Sequence, residues 1–392
     1  MALRLELDDV AFLRSADGAA AVAQVSAGVL SAASRMSDVA AARAVAGDRG
    51  PAVLETALLR RAAAGKLAAP ERWLLTSEAL QQATPSLVAA HRAQRLAGRA
   101  VHDVTCSVGT ELVELARSTG VVLGSDLDPV RLAMAAHNLE VNGASGVTLV
   151  RADALVPVSR EVVVLADPGR RTDGRRTHDP RALQPPLPDL LAAWSGRQLV
   201  VKCAPGLDTE RLGWAGEVEL VSLDGGVKEA VLWPPGLTGV ARRRATVLSS
   251  TGPAWEVTDA DPDEAKVRAP GEWIVDPDGA VVRAGLVRHW AARHGLGQLD
   301  PRTAHLTGDA LPPGVRGFRV LSHGRYSERS LRTELRRLDC GSVEVLVRAV
   351  DVDPAVLRPR LKLRGSRALT VVLTRIGDTP TAFVCTSHGA RA

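Results

Sequence analysis

The chain has 392 residues, of which 46% are hydrophobic, so it is too long for one ordinary core and has enough apolar surface to fill two or three domains. No run of 18 apolar residues occurs, which excludes a predicted membrane span; the four widely spaced cysteines predict neither a disulfide framework nor a structural metal and favour the reducing cytoplasm. The formal net charge of +5 is too small, taken over the whole chain, to identify a nucleic-acid-binding protein.

The first predicted region, residues 1–96, is rich in alanine at helical spacing and contains few strand-forming residues. Glycine and proline predict breaks between helices at residues 47–51, 65–70 and 84–85. We therefore expect a helical N-terminal lobe, with the apolar sequence at residues 73–75 as the anchor that docks it on the next domain. We interpret this lobe as a helical cap without chemistry of its own, and a direct role in the reaction is left open.

The second predicted region begins with a strand, a tight turn, a helix and another strand. The first apolar run ends in Asp103, Gly109 follows six residues later, and a helical pattern covers residues 111–117. A second apolar run, residues 121–125, is closed by Asp126. This order is typical of the first βαβ unit of nucleotide-binding sheets, in which the acid after the second strand accepts hydrogen bonds from both ribose hydroxyls.

The glycine pattern of this turn differs from that of dinucleotide-binding proteins. Only Gly109 remains, and Thr105 and Cys106 stand where glycines of the Gly-x-Gly-x-x-Gly pattern would be. Because bulkier residues leave little room for a diphosphate on the helix N-terminus, the turn favours a ligand without phosphate, such as S-adenosylmethionine. An ordinary βαβ unit with a surface turn is the alternative that this segment alone leaves open.

Acidic residues follow four successive predicted strands. Two further apolar runs end close to Asp153 and Asp167, as the two earlier runs end at Asp103 and Asp126. In open α/β sheets, ligands bind outside the carboxyl ends of the strands. These four carboxylates are therefore expected to form the rim of one ligand crevice.

Three more strands complete a predicted α/β core over residues 97–248. Apolar runs at residues 198–202, 218–222 and 229–233 predict a sheet of seven strands whose last two form an antiparallel edge pair. Residues 172–188 are rich in arginine, proline and aspartate, which predicts irregular structure and a lid that contacts the substrate.

The order of these motifs resembles the class I S-adenosylmethionine-dependent methyltransferases over about residues 101–233. More narrowly, the chain is similar to bacterial methyltransferases that carry a THUMP-like C-terminal domain. The segments that carry this narrower resemblance are residues 75–84, 202–208, 225–230 and 361–365. The resemblance implies an α/β fold with a seven-stranded Rossmann-like methyltransferase sheet, and S-adenosylmethionine as the cofactor.

The resemblance also assigns roles to the residues of the crevice. The turn that begins at Asp103 is expected under the methionine part of the cofactor, Asp126 at the ribose and Asp153 at the adenine amino group. The implied cofactor-binding residues are Asp103, Thr105, Cys106, Gly109, Asp126 and Asp153.

Asp167 and Pro168 are expected to open the catalytic loop, in which Arg170 would also face the substrate. Enzymes that methylate exocyclic amines of bases often have a second proline and an aromatic residue here, whereas this loop continues with glycine and two arginines, which argues against amine methylation. Arg170 or Arg171 is expected to stack on a base or bind a phosphate, with a structural ion pair as the alternative. Lys202, at the end of the fifth strand, is expected to contact the substrate or orient Asp167, with an exposed structural role as the alternative.

The last predicted region, residues 249–392, is a smaller α+β accessory region whose THUMP-like domain covers about residues 316–392. Residues 316–375 contain fourteen lysines and arginines against six acids, a net +8 that exceeds the surplus of the whole chain. The cations of a predicted helix and of the turn that follows it are Arg358, Arg360, Lys362, Arg364 and Arg367. This cluster is suited to a phosphate backbone, with a solvated helix face as the alternative.

The combined prediction is a cytoplasmic S-adenosylmethionine-dependent methyltransferase that acts on structured RNA, either transfer or ribosomal RNA. The expected substrate-binding residues are Arg171, Lys202, Arg360, Lys362 and Arg364. Two alternatives remain open at this point. One is a methyltransferase of small molecules, which does not need the basic C-terminal segment; the other is a non-catalytic RNA-binding protein with a degenerate cofactor pocket.

Overall fold

The chain folds into two compact units. The computed structural model describes residues 3–169, 171–172, 175–176, 179–207 and 212–388. The first unit comprises Met1–Gly216 and Ala230–Thr238, and the second comprises Glu217–Glu229 and Gly239–Ala392. The division into lobe, core and accessory region stays a prediction. Within the described chain, no helix combines the length and the hydrophobicity needed to cross a bilayer.

Helices and strands together give the mixed α/β fold that the sequence predicts. The helices are α1 (Leu7–Arg14), α2 (Ala16–Ser26), α3 (Arg35–Ala46), α4 (Gly50–Ala62), α5 (Ser77–Gln82), α6 (Ser86–Arg95), α7 (Thr110–Ser118), α8 (Pro129–Val141), α9 (Leu187–Ala193), α10 (Gly279–Arg283), α11 (Val287–Arg293), α12 (Glu328–Arg337) and α13 (Pro354–Leu361). The strands are β1 (Val101–Asp103), β2 (Val122–Asp126), β3 (Val147–Arg151), β4 (Val163–Ala166), β5 (Arg171–Thr172), β6 (Arg175–Arg176), β7 (Leu199–Cys203), β8 (Glu217–Leu223), β9 (Gly226–Trp233), β10 (Arg243–Leu248), β11 (Trp255–Thr258), β12 (Trp273–Val275), β13 (Gly297–Gln298), β14 (Leu306–Gly308), β15 (Gly317–Arg325), β16 (Cys340–Val347), β17 (Arg367–Ile376) and β18 (Thr379–His388).

The predicted helical N-terminal region is confirmed, and its helices are interrupted at the predicted glycine and proline positions. The anchor residues Trp73, Leu74 and Leu75 are buried. Asn138, a buried residue of α8, fixes this anchor: its Oδ1 accepts the Leu74 N–H at 2.7 Å and its Nδ2 donates to the Leu74 carbonyl at 2.9 Å. The N-terminal helices are therefore held on the α/β core by directional hydrogen bonds as well as by apolar burial.

The strands of the first unit lie in the order β9-β7-β4-β1-β2-β3. β1, β2, β3, β4 and β7 pair in parallel, and β9 pairs antiparallel with β7. Helix α7 connects β1 to β2 and helix α8 connects β2 to β3, because parallel neighbours need a crossover connection. The strand order reverses between β1 and β4, so their carboxyl ends open at a topological switch point, where such sheets bind ligands.

Residues 172–188 contain more regular structure than the sequence predicts. β5 and β6 pair antiparallel, with Arg171 opposite Arg176, and α9 begins at Leu187. The prediction of irregular structure is wrong for these parts, because a ladder of two residues per strand is too short to leave a periodic pattern. The role of the segment as a lid stays a prediction.

The second unit contains two groups of strands. β8 pairs in parallel with β10, which pairs antiparallel with β11. The other group has the order β13-β14-β12-β15-β18-β17-β16 and includes the predicted C-terminal unit of β16, α13, β17 and β18. On β17, Val371 and Leu373 pack in the cluster that α12 and α13 cover, whereas Val372 packs with Phe318 and Phe383, as the two-residue period of a strand requires.

Candidate functional site

The first unit contains a cavity of about 460 Å³ at the carboxyl ends of its parallel strands. Asp103, Asp126, Asp153 and Asp167, which follow four different strands, all line it. The structure thus brings together the four acids that the sequence places at strand ends, in a space of the size that small-molecule sites occupy. Their individual roles stay predictions.

The turn between β1 and α7 forms one wall of the cavity. Ser107 and Gly109 both have positive φ, at 50° and 82°. The backbone conformation of residue 109 favours glycine, and a Cβ atom there would also be tight against α8, 3.3 Å from the Cβ of Ala135. Cys106 is buried and its N–H donates to the Ser125 carbonyl at 3.0 Å. Burial raises the pKa of its thiol well above the ordinary range, which favours a structural role over a nucleophilic one.

The carboxylate of Asp126 is held in a fixed orientation at the end of β2. Its Oδ2 accepts the Ser107 N–H at 3.1 Å, and its Oδ1 accepts the Asp128 N–H at 2.9 Å. Asp128 in turn caps helix α8 by accepting the Val130 N–H at 2.8 Å. A carboxylate fixed in this way is preorganised to accept hydrogen bonds from a ligand without first losing side-chain freedom.

The Ser107 hydroxyl is a feature that the sequence analysis missed. Its Oγ atom is buried in the cavity wall and has no hydrogen-bond partner among the described residues. Buried polar groups in folded proteins are almost always paired, so an unpaired hydroxyl at a cavity is a donor or acceptor available to a ligand. Its position beside Asp126 fits a polar small molecule that is held at the ends of β1 and β2.

Asp167, the first residue of the expected catalytic loop, is fixed by two contacts. Its N–H donates to the Thr105 hydroxyl at 2.7 Å, and the Nζ of Lys202 lies 2.6 Å from its Oδ2. Lys202 is 7% exposed and also donates to the Thr84 hydroxyl. The alternative of an exposed structural role for Lys202 is therefore wrong, since this lysine lies under the cavity and contacts Asp167 directly.

Buried ion pairs extend from Lys202 into the core. Its Nζ lies 3.7 Å from Glu111 Oε2, and Glu111 binds Arg92 in a bidentate pair at 2.7 and 3.2 Å. Burial alone would raise the pKa of Glu111, but Arg92 and Lys202 outweigh it and leave the pKa lowered. We refer to Arg92, Glu111, Lys202 and Asp167 as the cavity network. The sequence analysis did not predict Arg92 and Glu111 as site residues. The only signal for each in the sequence is a charged residue on an otherwise apolar helix face.

Asp103 differs from the other acids because it is almost completely buried, with 4% of its surface exposed. Burial raises the pKa of its carboxyl to about 7; the Thr105 N–H and Lys202 oppose the rise, and the carboxylates of Glu111 and Asp167 add to it. The protonation state of Asp103 therefore responds to any cation that enters the cavity.

The remaining expected site residues of this unit have different surroundings. Asp153 is exposed, and its Oδ1 accepts the Leu155 N–H at 2.9 Å. Pro168 is buried, and Gly169 forms a two-way backbone bridge with Gln184 at 2.7 and 2.9 Å, which fixes the start of the loop. Arg170 lies outside the described residues, and so does the side chain of Arg171 in β5.

The expected substrate-binding cations of the second unit are exposed. We refer to five cations of this unit as the α13 cluster: Arg358 and Arg360 in α13, Lys362 and Arg364 in the connection after it, and Arg367 at the start of β17. The contact of this cluster with Glu328 is long: Arg360 Nη1 lies 3.8 Å from Glu328 Oε2. This arrangement leaves the positive charges on the surface.

Comparisons with known proteins agree with these observations. Residues 315–387 match a family described as THUMP domain-like, which confirms the predicted C-terminal domain type. Two relatives from Mycobacterium tuberculosis, strains CDC 1551 / Oshkosh and ATCC 25618 / H37Rv, are both named S-adenosylmethionine-dependent methyltransferases of uncharacterized activity. Each is 56% identical over 357 residues, which cover 88% of this chain and 99% of the relative.

A solved structure of a protein from Porphyromonas gingivalis W83 has the same fold, with a TM-score of 0.70 and 18% sequence identity over 88% of this chain and 91% of that chain. At this level of identity the solved structure supports the fold alone. The two mycobacterial relatives are far more similar in sequence and are matched over nearly their whole length. The chain therefore belongs to the family of S-adenosylmethionine-dependent methyltransferases that these relatives represent.

Proposed function

We propose that this methyltransferase acts on structured RNA, either transfer or ribosomal RNA, with its cofactor in the cavity of the first unit and RNA phosphates on the α13 cluster. The observation that carries the RNA assignment is the exposed basic surface of the THUMP-like segment. Membership of a methyltransferase family argues against a non-catalytic RNA-binding protein.

The cavity residues fit a cofactor with a ribose and an adenine but no phosphate. Asp126 would accept hydrogen bonds from the two ribose hydroxyls, and the Ser107 hydroxyl would supply one further polar contact. Asp153 would accept from the adenine amino group. The turn from Asp103 to Gly109 would hold the methionine part, with Thr105 and Cys106 contributing mainly through the backbone and through packing. When bound there, S-adenosylmethionine supplies an electrophilic methyl group on a positively charged sulfur.

The protein's part in methyl transfer is to position the nucleophile of the substrate, because the displacement needs no covalent intermediate. Asp167 faces the substrate, and its carboxylate accepts a hydrogen bond from the group that is methylated. Pro168, which is buried, fixes the start of the catalytic loop, and Arg170 stays a candidate from the sequence alone. Lys202 acts as a positioning residue: its short ion pair keeps the Asp167 carboxylate pointed in one direction. Arg171 stays a candidate substrate-binding residue from the sequence alone.

In this proposal the α13 cluster binds the RNA backbone. Arg360, Lys362 and Arg364 are exposed and lie within ten residues of one another in the THUMP-like segment. Contacts of this kind position the RNA without reading its sequence. Selection of the target nucleotide is therefore left to the cavity of the first unit.

The proposal is tested by comparing the modified nucleosides of transfer and ribosomal RNA from cells with and without the gene, by mass spectrometry. We expect one methylated nucleoside to disappear, to return with the wild-type gene, and not to return with Asp126→Ala. Asp48→Ala, which removes an exposed acid outside the cavity, is the matched control. If no nucleoside differs although calorimetry shows that the purified protein binds S-adenosylmethionine, the substrate is a small molecule.

A further inference from the structure

The N-terminal helices contribute directly to the wall of the cavity. Glu78, Ala79, Gln82, Ala83 and Thr84 line the same space as the acids at the strand ends. These residues belong to α5 and to the short connection before α6. A lobe that only capped the sheet would not need polar side chains at this wall.

A chain of polar contacts reaches the side-chain amide of Gln82, an exposed residue that lines the cavity. Arg131 in α8 donates to Glu78 Oε2 at 3.0 Å, and Gln82 Nε2 lies 3.4 Å from Glu78 Oε1. A Cβ atom on Gly169 would lie 4.0 Å from Gln82 Nε2, so this amide stands beside the loop that Asp167 opens. Glu78, which pairs with Arg131, therefore offers the Gln82 amide an acceptor next to the expected reaction centre.

The same segment is tied to Asp167 from its other end. Lys202 donates to the Thr84 hydroxyl and forms the ion pair with Asp167. The positions of Gln82 and Asp167 are thus linked in two ways. Lys202 contacts both Thr84 and Asp167, and the Gln82 amide stands beside Gly169 of the loop. Two polar groups held in this way can recognise a rigid, planar ligand better than two independent surface side chains can.

We infer that Gln82 binds the edge of the substrate nucleobase beside Asp167 and is a specificity-determining residue of this enzyme. A carboxamide presents one donor and one acceptor in a plane, which matches the adjacent donor and acceptor on the edge of a base. The Asp167 carboxylate adds a second acceptor on the same target. This inference rests on the proposed RNA substrate, and it gives the helical lobe a role in substrate selection.

The test measures methyl transfer by the full chain to RNA from cells that lack the gene, together with S-adenosylmethionine binding by calorimetry. Gln82→Ala is expected to lower kcat/KM for RNA by about tenfold through the loss of one or two hydrogen bonds, with cofactor affinity within about twofold of wild type. Gln82→Met, which keeps the length but not the polar atoms, is expected to show the same loss. Gln81→Ala, at an exposed neighbour that is not among the cavity-lining residues of the described chain, is expected to behave as wild type.

The possible results are distinguishable. If wild type is active and both Gln82 variants keep kcat/KM within about twofold, the inference is overturned while the enzyme assignment stands. An equal loss in Gln81→Ala also overturns it, because the effect would then belong to the helix and not to the amide. If wild type binds S-adenosylmethionine but transfers nothing to RNA, the RNA substrate is wrong and this inference falls with it.

Discussion

Charged residues are used in opposite ways in the cavity network and in the α13 cluster. In the cavity network, the side chains of Arg92, Glu111 and Lys202 are 1%, 6% and 8% exposed, and both cations pair with Glu111. In the α13 cluster the cations lie on the surface, and the side chain of Arg360 is 63% exposed. Both regions are polar, but only the first has charges shielded from water and salt; Asp167, whose side chain is 39% exposed, is the member of the network that reaches the cavity.

The difference in burial determines what each region can do. A buried charge is stable only beside its partners, so the cavity network fixes positions and loses much when one member is removed. Exposed charges act nearly independently and are screened by ions, so the α13 cluster suits contacts that add up along a phosphate backbone. The cavity network therefore positions groups at the site, whereas the α13 cluster forms a binding surface.

The largest effect is expected from breaking the cavity network. Arg92→Met leaves the Glu111 carboxylate buried with one cation fewer, so the free energy of unfolding should fall by about 3 kcal/mol. Arg14→Met removes an exposed pair with Glu140 and should cost at most about 0.5 kcal/mol. Urea unfolding measures both. Similar losses in the two variants would contradict the contrast between buried and exposed pairs.

A smaller and salt-dependent effect is expected from the α13 cluster. Combining Arg358→Ala, Lys362→Ala and Arg364→Ala should reduce the slope of log affinity for transfer RNA against log salt by about 2 to 3, with the melting temperature unchanged. The control combines alanines at Arg268, Arg288 and Arg293, which are arginines paired with acids outside the THUMP-like segment. The cluster does not bind phosphates if both triple variants keep the wild-type slope.

Much of the sheet could be predicted because four strands of the first unit are short apolar runs that end in or shortly before an acid. That pattern placed Asp103, Asp126, Asp153 and Asp167 at one crevice, and all four line the cavity. The signal is local: an apolar strand, its period and the turn after it lie within about ten residues. Such features can be recognised in the sequence without knowledge of the tertiary structure.

The contacts that complete the site could not be read in the same way, because their partners are far apart in sequence. Lys202 and Thr84 are 118 residues apart, and Asn138 and Leu74 are 64 apart. Whether Lys202 is exposed or buried depends on the loop and helices packed around β7, not on its own segment. Gln82 lies in a segment interpreted as a cap, and only the cavity brings it beside Gly169.

A modest effect is expected from the bond that joins the cofactor turn to the catalytic loop. Thr105→Val keeps the side-chain shape but removes the acceptor of the Asp167 N–H, which should lower the free energy of unfolding by about 1 kcal/mol. The rate of methyl transfer should fall as well, because Asp167 loses one of its two fixed contacts. Thr333→Val, at an exposed helical threonine, controls for the substitution itself. Equal stability in the two variants would show that the bond does not position the loop.

The smallest expected effect is the release of a proton from Asp103 when S-adenosylmethionine binds. Because burial raises its pKa to about 7, this carboxyl is mostly protonated at pH 6.5 and ionised at pH 8.5. A ligand with a positive sulfur favours the ionised form and lowers that pKa, so binding S-adenosylmethionine should release a fraction of one proton at pH 6.5 and almost none at pH 8.5. Calorimetry in two buffers of different ionisation enthalpy measures the release, and Asp103→Asn should abolish it at the lower pH. A release that is the same at both pH values, or that persists in Asp103→Asn, would mean that the bound cation does not change the pKa of Asp103. The α13 cluster, whose charges are exposed, should show no such linkage.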